Sequence, residues 1–349
     1  MIAKPEYCSR ELIFKNVFRT SQTKSSTRIV FYIRLTTSEG EHFYGECAPL
    51  PQFGSEDFPE VEDELKRLTG IENFELPGSE DGMKTFLDEL TNLPTVKCAV
   101  EQALFQMQAS KNILPAEFIN DKQINVNALV DLLSKNEIIE SIARLCNEGF
   151  TTIKLKAGRE KFEDDLDIIS GLHEKFRNEF KLRLDVNGKW NIDEAFRNLK
   201  QLENYNIEYV EQPVKNTAEL IELSRNIKLP LAADESIRNV EDANKLLESS
   251  AIKYFVIKPM LIGGYYKTKE IVETAKAKNV KVIISSSLES NVGRRHLIAI
   301  ASAMGGNTAH GLGTSDLFVN DPVSDTFPVE KGKINYSPGL IKVENIPFG

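Results

Sequence analysis

Residues 151–158, TTIKLKAG, decide the fold, because they form a short apolar run that ends in charged side chains and precedes a helical pattern. The same unit returns at residues 181–188 as KLRLDVNG, and seven or eight such units follow residue 120. Their apolar runs are, in order, INVNALV, TTIKLKAG, KLRLDVNG, IEYVEQP, LPLAADES, YFVIKPM, KVIISSS and NTAHGL. Strands that alternate with helices predict parallel βα units, and about eight units predict a closed α/β barrel.

The chain before residue 120 has a different pattern, with strands first and helices after them. RIVFYIRLTT and FYGECAPL are predicted to form a hairpin whose turn, SEGEH, contains Gly40. ELKRL, MKTFLDELTNL and TVKCAVEQALFQMQASK have the apolar spacing of amphipathic helices. This part is therefore predicted to be α+β, and the turn-rich tail after residue 316 is expected to pack back on it.

The composition limits the classes of function. With 349 residues, of which 41% are hydrophobic, the chain can bury a large core, which excludes a disordered protein. A net charge of -9 without a basic stripe argues against nucleic acid as a partner. The four cysteines form no C-x-x-C pair, and no apolar signal segment or membrane-spanning stretch is present. We expect a cytoplasmic protein that acts on a small molecule away from membranes, and the sequence leaves its oligomeric state open.

Five charged residues mark the ends of consecutive apolar runs, one in each unit. They are Lys156, Asp185, Glu211, Asp234 and Lys258. Because a barrel places its active site at the C-terminal ends of its strands, these side chains are expected to meet around one mouth.

Asp185, Glu211 and Asp234 make up a set of oxygen ligands of the kind that Mg²⁺ prefers, with Mn²⁺ as a substitute. The alternative is that acids after strands only cap the next helix, as we expect of Asp193 before EAFRNL. Capping accounts for one such acid more easily than for three in consecutive units. The sequence therefore favours a metal site.

Lys154 and Lys156 lie on the same side of their strand because strand side chains alternate. Two neighbouring ammonium groups near a divalent cation should lower a lysine pKa and provide a base. Lys258, in the apolar run YFVIKPM, would be costly unless it faced the mouth and a negative partner. Metal and lysine together can stabilise the anion formed when a proton leaves the carbon beside a carboxylate. Exposed structural lysines remain the alternative.

The five motifs K-x-K, D-x-N, E-x-P, D-E-S and K-P resemble the enolase superfamily, in its muconate-lactonising-enzyme subgroup. They begin here at Lys154, Asp185, Glu211, Asp234 and Lys258. The resemblance implies a (β/α)₇β barrel at residues 119–316 with an α+β capping domain at residues 1–118, completed by the tail 317–349. It also implies a lysine base acting with Mg²⁺.

Within that subgroup the chain most resembles the o-succinylbenzoate synthase family, through YGECAPLPQFGSED, RLDVNGKW, YVEQP, VIKPMLIGG and ISSSLESNVG. This implies a lyase of menaquinone synthesis in which Lys156 and Lys258 are catalytic. Ser285 and Gly311 would hold substrate, with Lys154, Arg183 and Asn187 as substrate contacts or supporting partners, and residues 18–26 would form a mobile loop over the site.

Related activities share these motifs. An N-acylamino acid racemase would use Lys156 and Lys258 as opposed bases. Dipeptide epimerases usually carry Asp-x-Asp after the eighth strand, where this chain has GLGTSD with only Asp316 acidic. His310 beside the last strand could also line the mouth. A non-catalytic binding barrel would have little reason to keep the carboxylates and lysines together.

Overall fold

The computed structural model describes residues 2–19, 24–71, 74–75, 77, 79–304, 306–340, 343, 346 and 348, without the side chains of residues 2, 17–19, 24 and 340. The chain opens with an antiparallel sheet in the order β3-β2-β1-β4. Its strands are β1 (Ile2–Arg19), β2 (Lys24–Thr37), β3 (His42–Cys47) and β4 (Phe74–Glu75). The predicted hairpin is present, and Gly40 adopts φ of +80° in its turn, a conformation that favours glycine.

Three helices cover one face of this N-terminal sheet. They are α1 (Phe58–Thr69), α2 (Glu80–Leu90) and α3 (Pro94–Ser110). Helix α3 packs so closely that a Cβ on Gly45 would lie 1.8 Å from the carbonyl oxygen of Ala99. The side-chain amides of Gln102 and Gln106 each donate to and accept from the backbone of the edge strand β3. These bonds satisfy strand groups that have no neighbouring strand on that side.

The second sheet is parallel and has seven strands in the order β12-β11-β10-β9-β8-β7-β6. They are β6 (Ala128–Val130), β7 (Thr152–Lys156), β8 (Lys181–Asp185), β9 (Ile207–Glu211), β10 (Leu231–Ala233), β11 (Tyr254–Ile257) and β12 (Lys281–Ile284), preceded by β5 (Lys122–Asn125). His310 pairs with Val126, and Gly311 pairs with Ser285, both in parallel. This segment joins the two edges of the sheet, so the predicted α/β barrel is confirmed, with its eighth strand reduced to isolated bridges.

Helices follow the barrel strands and bury their apolar faces against them. They are α4 (Lys135–Asn147), α5 (Phe162–Phe176), α6 (Ile192–Leu202), α7 (Thr217–Asn226), α8 (Val240–Glu248), α9 (Pro259–Ile262), α10 (Tyr265–Ala277) and α11 (Asn291–Met304). The expectation that Asp193 caps α6 is wrong. Asn191 is the cap, forming a reciprocal pair of bonds with Glu194, while Asp193 lies in the first turn. An Asn at the cap with Glu three residues later outcompetes an acid already inside the helix.

The C-terminal tail contacts both parts of the molecule. Strand β13 (Lys333–Tyr336) pairs with β5, the strand that precedes the barrel sheet. Nearer the mouth, Phe318 forms a bridge with Phe14 of β1. Val343 and Ile346 pack in an apolar cluster with residues of the N-terminal sheet such as Tyr32 and Tyr44. On these contacts we propose that residues 1–118 and 317–349 form the capping domain and residues 119–316 the barrel.

Two buried carboxylates of the N-terminal part cap barrel helices. Glu46 accepts from the backbone N–H groups of Ser290 and Gly293 at the start of α11, each at 2.9 Å. Glu101 of α3 accepts from Tyr266 N at the start of α10 and lies 3.0 Å from His296 Nε2. The first N–H groups of a helix lack intrahelical acceptors, so the side-chain oxygens of Glu46 and Glu101 satisfy them and fix the N-terminal part on the barrel. In the described part of the chain, no helix has the length and apolar character needed to span a membrane.

Candidate active site

The structure brings the five charged strand-end residues together on one cavity. Lys156, Asp185 and Glu211 are the last residues of β7, β8 and β9, while Asp234 and Lys258 directly follow β10 and β11. All five line a cavity of about 320 Å³ at the C-terminal end of the barrel. That volume suits a small ligand.

Lys154 and Lys156 both point into the cavity, as the strand periodicity predicts. Lys154 Nζ donates to Glu211 Oε1 at 2.6 Å and lies 3.0 Å from Asp185 Oδ2. Lys156 Nζ donates to the same Asp185 oxygen at 2.7 Å and to Asn187 Oδ1 at 2.6 Å. Asp185 is thus shared between two ammonium groups.

Burial and neighbouring charges shift the pKa values of Lys154, Asp185 and Glu211. Burial opposes the charged form of Lys154, but Asp185 and Glu211 outweigh it and hold its pKa well above the usual value. In the protein alone, the surrounding carboxylates therefore hold Lys154 as a cation, and the expected lowering of a lysine pKa beside a bound divalent cation stays a prediction. Burial and the charge of Asp185 raise the pKa of Glu211 to about 8. The two lysine ammonium groups overcome burial and depress the pKa of Asp185.

The three carboxylates are more buried than the sequence suggests, with exposed fractions of 1% for Asp185, 0% for Glu211 and 6% for Asp234. Among the described residues, no three His, Cys, Asp or Glu side chains are grouped as a preformed metal site. Each carboxylate instead contacts a lysine. Glu211 Oε2, however, is buried without a hydrogen-bond partner in the described structure. An unpartnered buried carboxylate oxygen beside two further acids fits a divalent cation.

Lys258 lies against Asp234. It follows β11, which is four strands away from β7, the strand of Lys156, in the barrel sheet. Its Nζ also stands 5.5 Å from the centre of the Phe53 ring. Burial opposes the charge of Lys258, but Asp234 and Glu235 outweigh burial and raise its pKa. Lys258 is therefore held as a cation, which agrees with the expectation of a negative partner.

Ser285 and Gly311 meet where the barrel closes, and both line the cavity. A Cβ on Gly311 would lie 2.8 Å from Ser285 Oγ, so glycine leaves this wall open. Substrate binding by either residue stays a prediction.

Arg183 lies deeper in the barrel than a substrate contact would. Its Nε donates to Glu208 at 2.6 Å, its Nη1 donates to the carbonyl of Ala309 at 2.8 Å, and its guanidinium stands 4.9 Å from the centre of the Tyr209 ring. These partners place Arg183 in the barrel interior below the carboxylates.

His310 is buried beside Arg183 and is not among the cavity-lining residues. Burial and the charge of Arg183 lower its pKa to about 4. Its Nδ1 accepts from Ile284 N at 2.9 Å. His310 is thus a neutral strand-bridging residue, which disfavours it as the base.

The N-terminal part supplies cavity residues that the sequence did not reveal. They are Phe14, Lys15, Asn16, Leu50 and Phe53. Strand alternation gave no sign of them, since only the packing of the N-terminal part on the barrel brings them to the mouth. Lys15 forms an ion pair with Asp316, the acid in GLGTSD. Residues 20–23 of the predicted mobile loop 18–26 lie outside the described residues.

The fold and cavity define an enzyme of the enolase superfamily. The chain belongs to the enolase C-terminal domain-like family, which matches residues 137–340.

Similarity to o-succinylbenzoate synthases is also confirmed. The enzyme of that name from Desulfotalea psychrophila is 26% identical over 347 residues, covering 90% of this chain and 94% of its own. An L-Ala-D/L-Glu epimerase from Francisella tularensis subsp. novicida is 29% identical over 63% of this chain and 62% of its own.

Solved structures share the fold. The substrate-liganded L-Ala-D/L-Glu epimerase from Bacillus subtilis superposes with a TM-score of 0.88 at 22% identity, covering 99% of each chain. The dipeptide epimerase from Enterococcus faecalis V583, complexed with Mg and the dipeptide L-Leu-L-Tyr, gives a TM-score of 0.85 at 22% identity, covering 96% of this chain and 97% of that one.

Proposed function

We propose that the chain is an o-succinylbenzoate synthase, a lyase of menaquinone biosynthesis. The reaction is the Mg²⁺-dependent syn-dehydration of 2-succinyl-6-hydroxy-2,4-cyclohexadiene-1-carboxylate to o-succinylbenzoate. The observation that carries the reaction class is the cavity in which Lys156 and Lys258 flank three buried carboxylates. The choice of substrate rests on similarity to the Desulfotalea psychrophila enzyme over 90% of this chain. A cytoplasmic location is part of the proposal.

Asp185, Glu211 and Asp234 would hold Mg²⁺, or Mn²⁺ in its place. When bound, the cation would neutralise negative charge that develops on the substrate carboxylate. With the cation bound, Lys156 Nζ, which here donates to both Asp185 and Asn187, would keep Asn187 as its partner and face the substrate. Lys154 is the lysine shared by Asp185 and Glu211, so it would balance the charge of the ligand set.

Lys156 would act as the base, using Nζ to remove the proton beside the substrate carboxylate. The electrons of that C–H bond form a ring double bond, the C–O bond to the hydroxyl breaks, and Lys156 returns the proton so that water leaves. Because both transfers occur on one face, a single lysine suffices. Lys258, fixed by Asp234 and Phe53, would remain positive and stabilise the anion.

The alternative is an N-acylamino acid racemase or a dipeptide epimerase, which the similarity to epimerases keeps open. One observation weighs against a dipeptide. Asp316, the acid in the region where epimerases hold the substrate amine, is paired with Lys15. A cation at that place would repel an ammonium group and attract a second carboxylate.

The test compares specificity constants. Purified protein with Mg²⁺ should dehydrate the cyclohexadiene substrate with a kcat/KM far above those for racemising N-succinyl amino acids and for epimerising L-Ala-L-Glu. Chelation should stop all turnover. A racemisation constant equal to or above the dehydration constant would assign the chain to the racemases.

A further inference from the structure

Three amide or carboxyl side chains of the active-site motifs do not belong to the proposed metal ligands. They are Asn187 of D-x-N, Gln212 after Glu211, and Glu235 after Asp234. Asn187, after β8, bonds to the side chain of Glu235, after β10, and Gln212, after the intervening strand β9, bonds to the turn that carries Glu235. These three residues therefore connect the turns that carry the proposed metal ligands.

Asn187 connects Lys156 to Glu235. Lys156 Nζ donates to Asn187 Oδ1 at 2.6 Å, and Asn187 Nδ2 donates to Glu235 Oε1 at 3.0 Å. The amide oxygen can only accept and the amide nitrogen can only donate, so the orientation in which Oδ1 faces Lys156 Nζ and Nδ2 faces Glu235 Oε1 gives both neighbours a hydrogen bond. Glu235 thereby determines which end of the Asn187 amide faces the lysine.

Gln212 holds the turn that carries Glu235. Its Oε1 accepts from the backbone N–H groups of Asp234 at 3.0 Å and Ser236 at 3.2 Å. Its Nε2 donates to Ser236 Oγ at 2.7 Å and to the carbonyl of Val214 at 2.8 Å. With the backbone fixed on both sides of Glu235, its carboxylate is directed at Asn187.

The backbone of Asn187 adds to this constraint. Its φ is +50°, a left-handed conformation that Asn tolerates better than most residues, and its N–H donates to Asp185 Oδ1 at 3.2 Å. Asn187 is also buried. Its amide can therefore respond to Glu235 only by rotating about the side chain.

We propose that Glu235 is a positioning residue for Lys156. It orients the Asn187 amide so that Oδ1 holds Nζ at the cavity wall, ready to meet the substrate proton. Glu235 itself is not among the residues that line the main cavity. The inference rests on the proposed function in one respect, namely that Lys156 is the base.

The test compares Glu235→Met with Glu235→Gln. Methionine has a similar length but offers Asn187 only a weak sulfur acceptor, whereas the Oε1 of glutamine accepts as before. With Mg²⁺ and the cyclohexadiene substrate, Glu235→Met should lower kcat about tenfold or more with little change in KM, because a misplaced base slows the chemical step. Glu235→Gln should restore kcat to within about threefold of the unaltered protein.

Two controls separate positioning from other effects. Mg²⁺ affinity, measured by calorimetry, and the thermal midpoint should be alike in the two variants. The chelated variants are also treated with acetic anhydride, and the ratio of Lys156 to Lys258 acetylation is measured by mass spectrometry. This ratio should differ between Glu235→Met and Glu235→Gln.

The inference is overturned if Glu235→Met keeps the unaltered kcat, if both variants lose activity equally, or if the loss follows Mg²⁺ affinity. Should the unaltered protein fail to dehydrate the cyclohexadiene substrate, the proposed function fails instead. The labelling ratio then decides the inference: equal ratios in the two variants overturn it, and different ratios support it.

Discussion

Lys258 and Phe53 are far apart in the chain, yet the lysine Nζ lies 5.5 Å from the centre of the phenylalanine ring. Phe53 ends a short 3₁₀ helix, Pro51–Phe53, in the loop after β3. The next residue, Gly54, has φ of +88°, and a Cβ there would lie 2.9 Å from Arg238 Cζ. The loop thus rests directly on the barrel, and the N-terminal part completes the surroundings of a lysine that the barrel provides.

The contact between Phe53 and Lys258 predicts a measurable effect of the ring. Phe53→Leu keeps an apolar side chain but removes the aromatic face, whose attraction for a cation is about 0.5–2 kcal/mol. We expect kcat/KM for dehydration to fall roughly threefold to thirtyfold, with the free energy of unfolding little changed. Phe53→Tyr is the matched control and should remain near the unaltered value. Equal losses in the two variants would mean that ring shape, and not its charge distribution, matters.

We predict that Glu211 lowers the thermal stability of the metal-free protein, because its place in the site serves metal binding. It is fully buried, one of its oxygens has no partner in the described residues, and it lies near the charges of Asp185 and Asp234. Glu211→Gln keeps an acceptor for Lys154 and carries no charge at any pH, so it cannot add to the repulsion among the three acids. In chelated protein we therefore expect a thermal midpoint equal to or above that of the unaltered protein. Turnover should fall by orders of magnitude.

Asp185→Asn provides the contrast, because Asp185 is the shared partner of Lys154 and Lys156. Removing its charge leaves two largely buried ammonium groups less well paired, which should lower the thermal midpoint. Added Mg²⁺ should raise the midpoint of the unaltered protein and of neither variant. A large Mg²⁺-induced rise in Glu211→Gln would remove Glu211 from the ligand set.

The sequence was sufficient for the barrel and for the five charged residues at its mouth, because both depend on local order. Strand periodicity alone places Lys154 and Lys156 on one side, and parallel strands bring their ends together whatever the details of packing. The eighth strand was also predictable from its position, although only His310 and Gly311 form its bridges.

Features that depend on contacts between distant segments could not be predicted from the sequence. Lys15 and Phe53 reach the cavity only through docking of the N-terminal part. Arg183 shares a strand face with Asp185, but it lies two residues earlier on the strand and therefore deeper in the barrel. There it contacts Glu208. The raised pKa of Lys154 depends on how many carboxylates surround its ammonium group. The spacing of these residues along the chain does not reveal that number.

Glu46 predicts a pH dependence of stability. Burial raises its pKa from the usual 4.5 to about 7, although bonds from Ser290 and Gly293 act in the opposite direction. Tyr32, Arg28, Glu289 and Asp321 are the other titratable groups around this network. Between pH 4.5 and about 7 the folded state binds a proton at Glu46 that the unfolded chain does not. This group's contribution to the free energy of unfolding therefore decreases as pH rises through that range and is level above it.

Urea unfolding at several pH values checks this prediction. Glu46→Gln should flatten the pH dependence between about pH 5 and 7, since a neutral amide cannot release a proton. Glu39→Gln, at an exposed position in the hairpin turn, is the matched control and should leave the slope unchanged. An unchanged slope in Glu46→Gln would show that another buried acid, such as Glu289, is responsible.

The last prediction separates the tasks of the two catalytic lysines by substituting each with arginine and with methionine. Arginine keeps a positive charge but does not give up its proton at accessible pH, so it can replace a fixed cation and cannot replace a base. If Lys258 only stabilises the anion, Lys258→Arg should retain more dehydration activity than Lys258→Met. Lys156→Arg and Lys156→Met should be equally inactive, and both should lose exchange of the substrate proton with deuterated water. A racemase requires each lysine to accept and donate a proton, so arginine would fail at both positions. Measuring dehydration and exchange for the four variants is enough, and an inactive Lys258→Arg beside a more active Lys258→Met would contradict the role of Lys258 as a fixed cation.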